Sequence, residues 1–194
     1  MRFGFALVLA VLLPLHAGHA QTDPMRRDNA APPAAQETAE LPTILRDLSS
    51  LPEPVRAMRD KILAAAMSGD TEKLRGVLQS GPSLPALSFT DQGDPIEAMK
   101  ADSNDGGGLE IMAILTEVME AGFLHIDQGT PDEVYVWPYF TRYPLNRLTP
   151  SQTVELFRIV TAYEFKEMQD FGAYNFYRVG IAPDGTWRFF LNGD

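Results

Sequence analysis

The spacing of apolar residues changes from helical to strand-like at Phe123, and this change limits the folds open to the chain. Before Phe123, apolar residues recur at the spacing of amphipathic helices. After it, short β-branched and aromatic runs bounded by turn-forming residues, which are typical of strands, lie on either side of a helical stretch that begins at Thr149. This order predicts an α+β fold, in which helices pack on a small antiparallel sheet formed by two late hairpins.

The two predicted hairpins differ in their turns. The first joins the runs FLHID and EVYVW through the turn-forming sequence QGTPD. The second joins YNFYRVGI and TWRFFLN through Ala182-Pro183-Asp184-Gly185. In that turn the proline presets φ, and Gly185 accepts a left-handed conformation at little cost. A further short strand is predicted at residues 86–90.

Capping residues indicate where several of the predicted helices begin. Asp70, Asp94 before a proline, and Thr149 before a proline are N-cap residues of this kind. Leu109 to Ala121 has the clearest amphipathic pattern and is the predicted core helix. The helix pair in AAAMSGDTEKLRGVLQSG resembles a single ankyrin repeat and equally the opening of NTF2-like domains. One repeat without a second copy excludes an ankyrin array.

The first twenty residues have the parts of an export signal. Arg2 precedes the apolar run FALVLAVLLPL, and Gly18-His19-Ala20 offers small residues to a signal peptidase. We expect residues 1–20 to be removed, which leaves no membrane span and a periplasmic or secreted protein. Residues 21–40 are rich in Ala, Pro and Gln and are predicted to be a disordered linker. A single α+β domain is expected at residues 41–194.

Composition limits the classes of partner and cofactor. The chain has no cysteine, which excludes disulfides and thiolate metal sites. Its formal net charge of −10 makes nucleic acids and anionic membrane surfaces poor partners. No cofactor is expected, because no cofactor-binding motif occurs. An envelope glycan or an envelope protein is the expected partner.

His125 is the one histidine that remains after the predicted cleavage, and it is the first candidate catalytic residue. In FLHID it alternates with apolar residues, so His125 and Asp127 are expected on the same face of the sheet. A carboxylate in that position could orient the imidazole as a general base. Glu133, just before the next strand, is a further candidate acid. The alternative is that all three are ordinary surface residues.

The aromatic residues around a predicted bend are candidate ligand contacts. Trp137, Tyr139 and Tyr143 lie close together in sequence, with Pro138 at the bend. Exposed ring faces in this region could stack on sugars. Aromatic pairs are also the usual means of building the core of a small sheet, so core packing is the alternative.

The acidic loop DSNDGGG is a candidate calcium site. Asp102, Asp105 and Glu110 could gather around a hard cation, although their spacing does not match an EF-hand loop. The alternative is a hydrated acidic loop.

The runs YVWPYFTRYPLNRLTPSQ and FGAYNFYRVGIAPDGTWRFFLNGD carry a resemblance. They resemble exported alphaproteobacterial proteins that end in a similar Gly-Asp and have no assigned activity. The likeness extends from about Leu51 to Asp194. It implies export and a single domain, and it implies no catalytic or binding residue.

Taken together, the sequence favours an exported, soluble binding or envelope-interaction module over an enzyme. Two alternatives stay open. One is a small carboxylate-dependent hydrolase that acts on an envelope glycan, and the other is an NTF2-like pocket for a small ligand. An exposed patch around Trp137 and Tyr139 would favour binding, and a concave pocket that contains acids or His125 would favour the hydrolase.

Overall fold

A mixed five-stranded sheet forms the centre of this computed structural model, which describes residues 40–88 and 93–193. The predicted signal peptide and all but the last residue of the predicted linker lie outside the described residues. The described residues belong to one compact unit.

The order of the strands confirms both predicted hairpins. The strands lie in the order β1-β5-β4-β3-β2. Strand β2 pairs with β3, and β4 pairs with β5, both in antiparallel orientation. An antiparallel pairing of β3 with β4 joins the two hairpins into one sheet. In the described part of the chain the strands are β1 (Ala86–Leu87), β2 (Leu124–Ile126), β3 (Val134–Trp137), β4 (Arg178–Ile181) and β5 (Trp187–Leu191).

Strand β1 makes the sheet mixed rather than purely antiparallel. Ala86 pairs with Phe189 and Leu87 with Phe190, both in parallel register. The predicted α+β class is confirmed, and among the described strands the sheet departs from the predicted antiparallel arrangement only at this edge. A parallel neighbour requires a long crossover connection, which the chain between β1 and β5 provides. A strand of two residues carries no pattern from which its direction could be predicted.

Six helices are found in the described residues, and the predicted caps form where the sequence placed them. The side chain of Asp70 accepts hydrogen bonds from two backbone N–H groups of α2, and Asp94 does the same for α3. Thr149 forms a capping box with Gln152. None of the helices in residues 40–88 and 93–193 combines the length and the hydropathy that a membrane-spanning helix needs. The helices are α1 (Glu53–Met67), α2 (Thr71–Leu78), α3 (Pro95–Asp102), α4 (Leu109–Glu120), α5 (Pro150–Leu156) and α6 (Ala162–Phe171).

The core lies between the sheet and the helices α1 and α4, which pack on each other and on β4. Val55 and Ile62 of α1 and Leu115 of α4 are fully buried there. Their positions follow the helical spacing of the apolar residues, which places them on one face of each helix. Helix α4 is therefore the core helix that the sequence predicts.

A segment before α1 adds one further pairing at the β2 edge. Leu45 forms an isolated antiparallel bridge with Phe123, one residue before β2 begins. A 3-10 turn at Leu48–Ser50 then leads into α1. The segment around Leu45 therefore covers the outer edge of the sheet at Phe123, just before β2. The sequence predicted only that the ordered domain begins near this segment.

Candidate functional site

The aromatic residues predicted to contact a ligand are buried. Trp137 and Tyr139 are 0 % exposed, and Tyr143 is 9 % exposed. The Trp137 ring packs against Phe123 with centroids 5.0 Å apart, and Tyr139 makes an edge contact with Tyr143 at 5.6 Å. The predicted exposed aromatic patch was therefore wrong. Strand β3 lies inside the sheet and is buried along its whole length, so neither face of the strand leaves a ring accessible.

The acids predicted to gather around a cation are engaged separately. Asp102 accepts a hydrogen bond from the Tyr177 hydroxyl at 3.3 Å, and Asp105 accepts from the backbone N–H of Leu109 at the start of α4. Glu110 binds the backbone and side-chain N–H groups of Asn104. These carboxylates hold the loop and cap a helix. No group of three acidic or histidine side chains suited to a metal occurs among the described residues, so the structure does not support the calcium site.

His125 and Glu133 do form a pair. His125 Nε2 lies 2.7 Å from Glu133 Oε1, and Glu133 Oε2 accepts the Gly129 N–H at 2.9 Å. The Gly129 N–H and then His125 lower the pKa of Glu133 below its ordinary value. The carboxylate is an acceptor, so a neutral imidazole in this contact would carry its proton on Nε2 and leave Nδ1 as the acceptor nitrogen. The ring stacks on Tyr135 with centroids 4.1 Å apart.

Asp127 does not take the predicted place beside the imidazole. Strand β2 ends at Ile126, and Asp127 has a left-handed φ of 54°, so the alternation of strand faces stops before it. Its backbone carbonyl accepts two hydrogen bonds from Thr130, which close the turn toward β3. The prediction that Asp127 orients His125 was wrong. Glu133 orients the imidazole instead, from across the hairpin.

An open groove of about 540 Å³ lies at the outer edge of β2. One wall comes from the segment that precedes Arg46, and the other from β2 and the turn after it. The groove combines aliphatic side chains with a hydroxyl, an amide and the imidazole. Its lining residues are Pro42, Thr43, Leu45, Leu124, His125, Ile126 and Gln128.

The backbone at this edge has a free hydrogen-bond donor. Leu45 and Phe123 exchange two hydrogen bonds of 2.9 Å, so the polar groups of Phe123 point away from β3. Because such groups alternate between the two edges of an antiparallel strand, His125 presents its N–H and carbonyl to the same outer edge. Gln128 Nε2 donates to that carbonyl over 3.2 Å. By the same alternation Leu124 and Ile126 make the ladder bonds to β3, and no other hydrogen bond of the described residues uses the His125 N–H.

Residues 42–45, which form the first wall of the groove, are attached to the rest of the domain by a partly buried ion pair. Both terminal nitrogens of Arg46 donate to Glu155 at 2.6 Å, and the same carboxylate accepts the Gly122 N–H at 3.0 Å. The Tyr139 hydroxyl donates to it at 3.1 Å. Burial alone would raise the pKa of Glu155, but the hydrogen bonds from Arg46 and Gly122 outweigh burial and lower it.

Sequence reasoning missed the groove because its two walls are far apart in the chain. Leu45 and Phe123 meet across 78 positions without any local motif that connects them. From the sequence alone, Glu155 resembles an ordinary exposed acid of an amphipathic helix, and Arg46 resembles an ordinary solvated cation. The one signal that pointed here was the alternating sequence FLHID around His125.

Comparisons of the chain with family models, curated proteins and solved structures find no match. The resemblance to exported alphaproteobacterial proteins and the NTF2-like alternative therefore stay predictions.

Proposed function

We propose that this protein is an exported, non-enzymatic binding module that captures an extended segment of an envelope protein at the outer edge of β2. One observation carries the proposal, namely the unpartnered N–H of His125, which faces a groove beyond the point where Leu45 stops pairing with Phe123. An added strand would supply a carbonyl for this N–H and extend the sheet by main-chain hydrogen bonds.

The chemistry of the groove supports a peptide as the ligand. Leu45 and Ile126 offer aliphatic surface, and Thr43 and Gln128 offer a hydroxyl and an amide. Such a mixture suits a chain of amides with alternating side chains. Neither lysine nor arginine lines the groove, so a phosphate or sulfate group would find no cationic partner there.

An envelope protein is favoured over an envelope glycan as the partner. The glycan hypothesis depended on exposed ring faces at Trp137 and Tyr139, and both rings are buried. The imidazole of His125, which does line the groove, already stacks on Tyr135. The export signal predicted at residues 1–20 supports a site of action outside the cytoplasm.

A hydrolase is the second candidate, and the His125–Glu133 pair is the observation that favours it. The distance of 2.7 Å between Nε2 and Oε1 is that of a base oriented by a carboxylate. The Nδ1 atom of a neutral His125 could then remove a proton from a water molecule in the groove. Hydrolysis would require the imidazole of His125, whereas strand addition requires its backbone N–H.

The two readings are separated by a matched pair of variants at His125 in the full chain. His125→Ala removes the imidazole and keeps the N–H, whereas His125→Pro removes both. Proline is tolerated on edge strands where the N–H faces outward. The probe is a capped peptide of alternating threonine and valine, with its affinity measured by fluorescence anisotropy. We expect His125→Pro to weaken binding about tenfold more than His125→Ala, equivalent to about 1.4 kcal/mol.

Two controls complete the experiment. Circular dichroism checks that both variants fold. The same peptide with alternate amides N-methylated tests the wild-type chain without any substitution, and we expect it not to bind. Equal binding of the methylated and unmethylated peptides would contradict strand addition. Cleavage products in mass spectra of wild-type mixtures, lost in both His125 variants and in Glu133→Gln, would establish the hydrolase instead.

A further inference from the structure

We infer that the segment bound at the β2 edge carries a lysine or arginine beside His125, so that the preferred partner is a basic extended peptide. This inference rests on the proposed function and adds the chemistry of the partner to it. It is drawn from the side chains that lie on the same face of the sheet as the His125 side chain.

The face in question is set by the register of β2 and β3. His125 pairs with Tyr135, so their side chains lie on one face of the sheet. Glu133 precedes Tyr135 by two positions and bonds to the imidazole on that same face. A residue paired with His125 on an added strand would also place its side chain there, beside the imidazole. Glu133 leads into β3, on the far side of β2 from the added strand, and its carboxylate reaches across to the imidazole. A side chain beside the imidazole must therefore be as long as lysine or arginine to approach that carboxylate.

Glu133 is able to receive such a cation. Its side chain is 25 % exposed, and each of its oxygens accepts one hydrogen bond, from His125 over 2.7 Å and from Gly129 over 2.9 Å. A carboxylate has about four acceptor positions, so positions remain for an incoming ammonium or guanidinium group. The carboxylate is already fixed in place by these bonds, so less side-chain entropy is lost when a cation pairs with it.

The charges of the surrounding turn favour the same partner. Asp127 and Asp132 are exposed in the turn that joins β2 to β3. The cation that contacts this turn within the described residues is Arg188, which donates to the Pro131 carbonyl over 3.3 Å. Arg46, next to the groove wall, is paired with Glu155. The turn thus has a surplus of negative charge, in keeping with the formal net charge of −10.

The test compares three capped threonine–valine peptides that differ only in the central residue, which is lysine, norleucine or glutamate. Their affinities for the full chain are measured at low salt and at high salt. We expect the lysine peptide to bind about tenfold more tightly than the glutamate peptide at low salt, with norleucine between them. The difference should shrink at about 1 M salt, because salt screens the attraction.

A matched pair of charge-neutralising variants locates the effect. Glu133→Gln should reduce the preference for lysine over norleucine, whereas Glu167→Gln, at an exposed position of α6, should leave it intact. Equal binding of all three peptides would overturn the inference and leave the proposed function standing. Binding of none of them would contradict both. A lysine preference that Glu133→Gln and Glu167→Gln reduce equally would reflect net charge alone and would also overturn the inference.

Discussion

Leu45 and Phe123 exchange two backbone hydrogen bonds of 2.9 Å, and this bridge determines which backbone groups of β2 remain available at its edge. Phe123 is satisfied by Leu45, and the next outward-facing residue is His125. The antiparallel ladder would continue with Thr43 opposite His125, but the two residues instead line a groove. A short pairing that stops beside an open groove leaves one main-chain donor for a ligand.

Gly185 should be intolerant of a side chain, whereas Gly76 should accept one. Gly185 has a φ of +88°, and an added Cβ would lie 2.8 Å from the Pro54 carbonyl oxygen. We expect Gly185→Ala to destabilise the fold by about 2 kcal/mol, through strain and the backbone contact. Nothing lies within 4 Å of a Cβ at Gly76 in α2, so Gly76→Ala should stabilise by about 0.5–1 kcal/mol. Urea unfolding of the two variants measures both changes in the free energy of unfolding. Two changes of the same sign would contradict the expectation.

Trp137 should contribute to stability as a core residue. Its side chain is 0 % exposed and packs against Phe123, so Trp137→Ala should cost about 3–5 kcal/mol in the free energy of unfolding. Phe171 is 57 % exposed at the end of α6, and Phe171→Ala should change stability by less than about 0.5 kcal/mol. Thermal unfolding of the two variants provides the comparison. Similar midpoints for Trp137→Ala and the wild type would show that the ring is not in the core.

Glu155 should make the fold sensitive to acid. Its folded pKa lies below the ordinary value of 4.5, so its contribution to stability is present above about pH 4.5 and is lost as the pH falls through the folded pKa. Glu155→Gln should cost about 2 kcal/mol at pH 7 and flatten the loss of stability below pH 4.5. Chemical unfolding at a series of pH values tests this. An unchanged acid slope in the variant would show that Glu155 is not responsible for it.

His125 should occupy a single tautomer when its ring is neutral. Because Glu133 accepts a hydrogen bond from Nε2 over 2.7 Å, the proton belongs on Nε2 and Nδ1 should be bare. Nitrogen-15 chemical shifts of the imidazole distinguish the two nitrogens directly. Glu133→Ala removes the acceptor and should raise the population of the tautomer that carries its proton on Nδ1. A proton found on Nδ1 in the wild-type chain would contradict the pairing.

The sequence predicts the helices and hairpins because their signals are local. Capping by Asp70 and Thr149 and the turn at Gly185 each depend on a few neighbouring residues, and the structure contains all three. The burial of Trp137 was open to two interpretations, because alternation cannot show that β3 lies inside the sheet with both faces covered. That position depends on which strands become neighbours, which is a long-range property.

The candidate site shows the same division between local and long-range information. His125 and Glu133 were both candidates from the sequence. They lie eight positions apart in the chain, and the β2–β3 hairpin brings their side chains into contact. Asp127 was the expected partner on the basis of strand alternation, but the turn begins before it. The groove required the pairing of Leu45 with Phe123, which no periodicity could indicate.

Amide hydrogen exchange at His125 is the most direct test of strand addition at the β2 edge. The exchange rates of His125 and Ile126 are measured by NMR in the full chain, with and without a saturating threonine–valine peptide. The Ile126 N–H points toward β3 by the alternation of the ladder, so it is the internal reference. We expect the peptide to slow exchange at His125 about tenfold or more, while exchange at Ile126 changes little. An unchanged rate at His125 under saturation would contradict strand addition at the β2 edge.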